Sequence, residues 1–511
     1  MNCCSRRDFI KGMGASFAGG LLGRNGFNTL PGTNVSYSAG SRAVSGNIVV
    51  FVQMSGGNDG LNMVYPVSGA QRSLYTTARP TLGLPASSGN LQPWIDKNIS
   101  TGSILDIGVN TDNSTYALNP GMGALHSIYN SGKMAVLPGV HYPAPNHSHF
   151  ESSNYYTSAD PSGSDLTGWF GKYLSTAGAG FQSSDVPSVV MGYNQTPLFS
   201  PSTPGIFTFN DLDVLQFPAV NDGVLKAQIY QAYCNFASGR NATQFPELVK
   251  IAQAGGATVA HLNDYFNADN GGPSMPAKVQ ALLVDANGNY NRGNSLVYSS
   301  PINPDTNLKV ANNDLATDLK HVAAVIRADV GARFFHVTIN GFDTHSQQEQ
   351  DLYHSSLLNQ LSEALAAFYN EMTQAVSLPS GLTGYQTGNL SNQVLIVSFS
   401  EFGRTIRQNA TDPFKAGTDH AASAPQIVMG GQVLGGQYGA YPALDNPGSE
   451  ADDDLRLTTD FRDVFGTILN RWLSVPVGEI GPGQGKILAT TATADGDGKD
   501  YTAFTPLGFL P

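Results

Sequence analysis

A mostly parallel α/β sheet with helices on both faces is the fold class this sequence predicts, and three observations predict it. Runs such as Val49-Val50-Phe51-Val52 and Leu395-Ile396-Val397 are apolar without alternation, as in strands buried on both sides. Between the runs lie segments with apolar residues at helical spacing, the rhythm of strand, crossover and parallel strand. Carboxylates and imidazoles gather in loops just after, or close beyond, the predicted strands, at the edge where open parallel sheets bind their ligands.

Taken in order, Asn47 to Gln53 reads as a buried strand that empties into the glycine-rich loop Ser55-Gly56-Gly57-Asn58-Asp59-Gly60. A helix follows with Asn119 as cap and Pro120 in its first turn, placing Met122, Leu125, Ile128 and Tyr129 on one face. The strand Met134 to Val140 leads to a loop holding His141, His147, Ser148 and His149. Residues 160–315 are rich in Pro, Gly and Asn and carry only short helical patterns, such as Leu248-Ile251-Ala252. They read as an insertion or cap. Regularity returns with a helix near 316–330 and the strand Phe334 to Ile339, which ends in Asp343-Thr344-His345. A long amphipathic helix carries Leu357, Leu358, Leu361, Leu365 and Phe368. The strand Val394 to Phe399 ends in Ser400-Glu401-Phe402-Gly403-Arg404-Thr405, and Gly417-Thr418-Asp419-His420 precedes the strand Gln426 to Met429. A last helix aligns Phe461, Val464, Phe465, Ile468, Leu469 and Trp472.

The first residues have a different purpose. Ser5-Arg6-Arg7-Asp8-Phe9-Ile10-Lys11 stands before a weakly apolar, Gly- and Ala-rich stretch. That is the pattern of a twin-arginine export signal, too poor in Leu and Ile to span a bilayer. Residues 1–45 are therefore expected to be signal and flexible leader, and 46–511 one α/β domain. The destination is the periplasm or the extracellular space, with no transmembrane segment after signal removal. Net charge is −12, and losing the basic leader makes it more negative. An acidic surface argues against nucleic acid or anionic lipid as partner. Of three cysteines only Cys234 lies beyond the leader, so no disulfide within the mature chain is expected.

Mixed carboxylate and imidazole donors at several strand exits suit a divalent metal such as zinc or manganese. Phosphoryl and sulfuryl transfer use such an ion to neutralise the anionic ester while a serine or water attacks. The donors are Asp59, His147, His149, Asp343, His345, Glu401 and His420. Single motifs have plainer readings. Asp343-Thr344-His345 reads equally as a turn capping the next helix. Arg404 reads as a bidentate clamp for a phosphate or sulfate, or as the ion-pair partner of Glu401. His126, His261 and His321 read as helix-surface or core residues. The Asp495 to Asp500 stretch lacks the closing Glu of a calcium loop and reads as a solvated turn.

Together, the leader, Gly56-Gly57-Asn58-Asp59-Gly60-Leu61-Asn62, Pro145-Asn146-His147-Ser148-His149-Phe150, Thr167-Gly168-Trp169, Phe342-Asp343-Thr344-His345, Ser400-Glu401-Phe402-Gly403-Arg404-Thr405 and Gly417-Thr418-Asp419-His420 resemble one large bacterial family. It is the exported family of unknown function numbered fifteen-oh-one, placed in the alkaline phosphatase and sulfatase superfamily. The resemblance runs over nearly the whole mature chain and implies an alkaline-phosphatase-like fold. It implies zinc or manganese held by Asp343, His345 and His420, with Ser148 as the nearest candidate nucleophile. A second ion, of calcium, magnesium or manganese, would rest on Asp59 and Glu401, with His147 or His149 reaching in. Superfamily members carry Asp-His-Gly where this chain has Glu401-Phe402-Gly403, and phenylalanine cannot coordinate. Two functions are therefore expected to compete. One is an exported metal-dependent hydrolase of phosphate or sulfate esters, acting on a small-molecule or polysaccharide substrate. The other is a non-catalytic, metal-stabilised scaffold with a degenerate second site.

Overall fold

The structure is a computed structural model that describes residues 46–142, 145–163, 167–174, 188–191, 198, 206–209, 313–328, 332–375, 386–445, 453–481, 486–488 and 504–511. The expected export leader, Cys234, His261, the Asp495 stretch, the helical pattern at 248–252 and most of the expected insertion lie outside them.

Among the described residues the strands are β1 (Ile48–Met54), β2 (Val64–Pro66), β3 (Leu105–Val109), β4 (Thr115–Leu118), β5 (Met134–His141), β6 (Ser188–Met191), β7 (Ile206–Phe209), β8 (Phe334–Ile339), β9 (Val394–Phe399), β10 (Gly403–Arg404), β11 (His420–Ala421), β12 (Ala424–Gly430), β13 (Gly436–Gln437) and β14 (Thr459–Asp460). Nine of them form one sheet in the order β13-β5-β12-β9-β1-β8-β6-β7, with β14 also paired to β5. The strands from β9 to β7 run parallel. Only β12 runs against its neighbours, antiparallel to both β5 and β9. The chain is thus α/β with a large, mostly parallel sheet.

The unbroken apolar run of β1 has a direct cause. Val50 and Val52 point into one core, while Val49 and Phe51 point into the other. The first core is closed by the helices Gly123–Asn130, Asp314–Ala328 and Tyr353–Thr373; the second by His149–Ser158, Trp169–Leu174 and Phe461–Thr467. All five apolar residues expected on the long helix are buried, and Arg327 reaches Glu371 at 2.9 Å to tie two helices of the first layer together. Phe51 sits against Trp169, Phe170 and Phe465 at ring distances of 5.9, 5.0 and 6.4 Å in the second.

Three expectations need correction. The helix expected from Asn119 begins at Gly123, because the Asn119 side chain accepts the Gly121 N–H at 2.9 Å and closes a turn first. Strand β12 was expected to join a parallel sheet and is reversed. A separate three-stranded antiparallel sheet, β2-β4-β3, lies where broken hydrophobic patterning showed no element.

The reversal positions the site. The chain leaves β1, β5, β8 and β9 at one edge of the sheet. Because β12 is antiparallel, it is the segment entering it, with His420, that arrives at that same edge.

Candidate metal centre

Asp343 is the hub. It follows β8 in a loop that does not cap the long helix, which starts only at Tyr353. Its Oδ1 lies 3.2 Å from His420 Nε2, 3.2 Å from His345 Nε2 and 2.5 Å from Arg404 Nη2. Its Oδ2 lies 3.6 Å from His149 Nε2. The two nitrogens His345 Nε2 and His420 Nε2 are themselves 2.9 Å apart. His149, Asp343 and His420 form a group whose ligand atoms all lie within 4.8 Å of one another.

The other ring nitrogens fix the tautomers. His345 Nδ1 is 2.9 Å from the Asp419 carboxylate, His420 Nδ1 is 2.9 Å from the His147 carbonyl, and His149 Nδ1 is 2.9 Å from Glu401 Oε1. A carboxylate or carbonyl oxygen only accepts, so each Nδ1 carries a proton, and a ring that holds that proton alone turns an Nε2 lone pair toward Asp343. Lone pairs on two imidazoles and a carboxylate meeting at 2.9–3.2 Å repel one another unless a metal ion or a proton lies among them. Donors about 2.0–2.1 Å from one ion stand roughly 3 Å apart, so the residues fit a divalent metal.

Electrostatics agree with this reading. Burial opposes the charge on Asp343, but the Arg404 guanidinium that donates to it brings its carboxyl down to about 2. The Glu401 hydrogen bond holds His149 above the usual imidazole range, whereas burial holds His420 below it. The cluster is open on one side. Side-chain exposure is 50% for Asp343, 45% for His345, 35% for His149 and 21% for His420.

The remaining expected residues take other places. Glu401 is buried and accepts the Gly56 N–H at 2.7 Å as well as His149; it orients the His149 ring. Asp59 is fully buried, with Oδ2 bonded to Arg79 at 2.6 Å and to Gln348. Its charge is balanced by that guanidinium, and Arg79 keeps its carboxyl low despite the burial that would raise it. The Asp59/Glu401 pair expected to carry a second ion is thus committed elsewhere, although Asp59 Oδ1 keeps no hydrogen-bond partner. His147 contributes its carbonyl to His420, while its ring lies 3.4 Å from Asp454. Ser148 precedes the helix His149–Ser158, and its N–H donates to Asn146 Oδ1 at 2.9 Å.

Arg404 is neither a free clamp nor the partner of Glu401. Its buried guanidinium donates to the carbonyls of Gly57 at 2.7 Å, Thr418 at 2.9 Å and Phe342 at 3.2 Å, to that of Gly56, and to Asp343. It stitches three loops together. Phe402 fills the floor, its ring 4.7 Å from His149 and 4.5 Å from His420. The glycines of the β1 loop have positive φ, +118° at Gly56 and +77° at Gly57. Side chains there would overlap the Asp343 amide and the Phe402 ring.

Sequence reasoning missed Arg79 and Gln348, because neither stands in a motif or at a recognisable spacing. Asp419, legible in the sequence only as part of the Gly417 to His420 loop, orients His345 with its carboxylate.

No curated protein and no solved structure matches this chain. The family described as "Protein of unknown function (DUF1501)" matches residues 316–491, the stretch that carries Asp343, His345, Glu401, Arg404, Asp419 and His420.

Proposed function

We propose that this protein is an exported metal-dependent hydrolase of phosphate or sulfate esters, built on an alkaline-phosphatase-like fold. The observation that carries the reading is the set of imidazole lone pairs turned on one carboxylate, each ring held by an acceptor at its far nitrogen. Structural metal sites are closed, whereas catalytic ones keep a position open; the half-exposed Asp343 and His345 favour the catalytic kind. The arginine-pair leader supplies the exported destination, since this route carries proteins that have already folded.

Zinc or manganese held by Asp343, His345 and His420, with His149 as a further donor, would supply Lewis acidity and counter-charge toward an ester oxyanion. Glu401, Asp419 and the His147 carbonyl keep the rings in the coordinating tautomer. Arg404 fixes Asp343 and the loops around it rather than gripping substrate. Phe402 keeps water from beneath the rings. Ser148, half-buried beside His149 at the start of its helix, is the candidate nucleophile of this chain.

The non-catalytic scaffold is the second reading. It is favoured by the inward turn of Arg404 and by the Ser148 hydroxyl, which makes no hydrogen bond to a base among the described residues.

Metal analysis of the purified mature protein, paired with a panel of aryl phosphate and aryl sulfate esters, separates the two. About one equivalent of zinc or manganese with ester turnover is expected, and both are lost in His420→Ala. Bound metal without turnover of any ester would favour the scaffold, and a metal-free protein that resists reloading would overturn the centre.

A further inference from the structure

We propose that Gln348 is a positioning residue that sets how tightly the centre holds its ion; the inference rests on the metal reading above. Gln348 is fully buried and touches none of the donor atoms. Its Nε2 donates to Asp59 Oδ2, and its Oε1 accepts from Thr418 Oγ1 at 2.6 Å and from Thr344 Oγ1 at 3.2 Å. Its backbone N–H donates to the Ala416 carbonyl at 3.0 Å, and its carbonyl accepts the His354 N–H at 2.9 Å at the start of the long helix.

Those partners are not scattered. Thr344 lies between Asp343 and His345, and Thr418 lies directly before Asp419 and His420. One side-chain oxygen therefore fixes the loop that brings two donors against the loop that brings the third donor and the carboxylate orienting His345. The amide nitrogen then ties both loops to Asp59. That residue is anchored in turn by Arg79, whose Nε and Nη2 donate to the carbonyls of Ile406 at 2.9 Å and Thr405 at 2.7 Å.

Only a primary amide serves this junction. It must donate to a buried carboxylate and accept from two hydroxyls at once. A carboxylate would repel Asp59, whereas an apolar side chain would take the acceptor from the Thr418 hydroxyl, leave Thr344 Oγ1 only its longer bond to the Phe342 carbonyl at 3.4 Å, and leave Asp59 Oδ2 to Arg79. Donor atoms around an ion must be held to within about 0.5 Å, so loosening the two loops would be felt first as lost affinity.

The test is titration of zinc and of manganese into metal-free full-length chain, wild type beside Gln348→Met, which nearly keeps the volume and removes the hydrogen bonds. The expected result is an ion affinity lowered about tenfold, the size found for residues behind the ligands. The visible absorption of the cobalt-loaded variant should shift as well, because donor geometry has changed. Thr344→Val and Thr418→Val should each move affinity in the same direction, and they carry the test if the Gln348 variant does not fold. A lower melting temperature of the metal-free protein with unchanged affinity and unchanged cobalt spectrum would make the role purely structural and overturn the proposal. A wild-type chain that binds no ion overturns the metal reading and this proposal together, whereas wild-type binding matched by all three variants overturns this proposal alone.

Discussion

At the residue scale, the three imidazoles of the centre differ from ordinary surface histidines in what their Nδ1 atoms touch. His126, by contrast, uses Nε2 on the Asp106 carbonyl at 2.8 Å and lies apart. The roles of the carboxylates follow from the same bonds. Glu401, with both Gly56 N–H and His149 on one oxygen, would act on the proposed ion through a ring, and this has a measurable consequence. Glu401→Gln keeps an acceptor but removes the charge that makes His149 a stronger base. Metal affinity should fall by about 10–100-fold without being abolished, as measured by competition with a chelator of known strength. Complete loss would mean that Glu401 coordinates directly. The motif Ser400-Glu401-Phe402-Gly403 was legible as a site loop, but its roles were not. A carboxylate that ligates and one that orients a ligand look alike in a sequence.

At the scale of elements, loops decide the geometry and strands deliver them. The β1 loop approaches so closely that Gly56 leaves no room for a side chain beside the Asp343 amide. Gly56→Ala combines that overlap with a φ of +118°, a conformation costing about 1–3 kcal/mol for other residues. It should lower both stability and metal binding, read by chemical denaturation and by titration. The long helix Tyr353–Thr373 offers a separate test, remote from any ion. Burial raises the Glu363 carboxyl from its usual 4.5 to about 7. Between those values the unfolded chain has released the proton and the folded chain still holds it, so folding loses stability as pH rises from 4.5 to 7 and loses no more above that. Glu363→Gln should therefore match wild type near pH 4 and melt progressively higher than wild type as pH approaches 7. Equal melting curves across the range would show that the carboxyl is solvated. Helical periodicity placed this helix correctly, because its apolar face is continuous. The turn before Gly123 was misread because Asn119 and Pro120 fit a cap and a tight turn equally well.

At the scale of the whole molecule, the sheet, nine-stranded among the described residues and with a core on each face, gathers loops from distant parts of the chain at one edge. His149 and Glu401 meet although 252 residues separate them. An ion held across such loops binds the folded chain and not the unfolded one, so it must stabilise folding. At a free concentration one hundred times its dissociation constant the gain is about 2.7 kcal/mol. Melting curves with zinc or manganese should lie above those with a chelator, and the difference should vanish in His420→Ala. No helix among the described residues is long and apolar enough to cross a membrane.

By itself the sequence determined the runs of β1, β5, β8, β9 and β12, the helices of the first layer, the helix at Phe461 in the second, and the set of loops from which the candidate donors come, because hydrophobic period and glycine-rich exits are local signals. Only the tertiary structure decided which donors share a point. The reversed β12 brings His420 to the exit edge, His149 enters from the β5 loop as a full participant, and Arg79 takes the charge of Asp59. The physical reason is that a metal centre is a coincidence of side chains from separate loops. The buried groups that hold those loops, such as Gln348 and Arg404, carry no sequence period that would announce them.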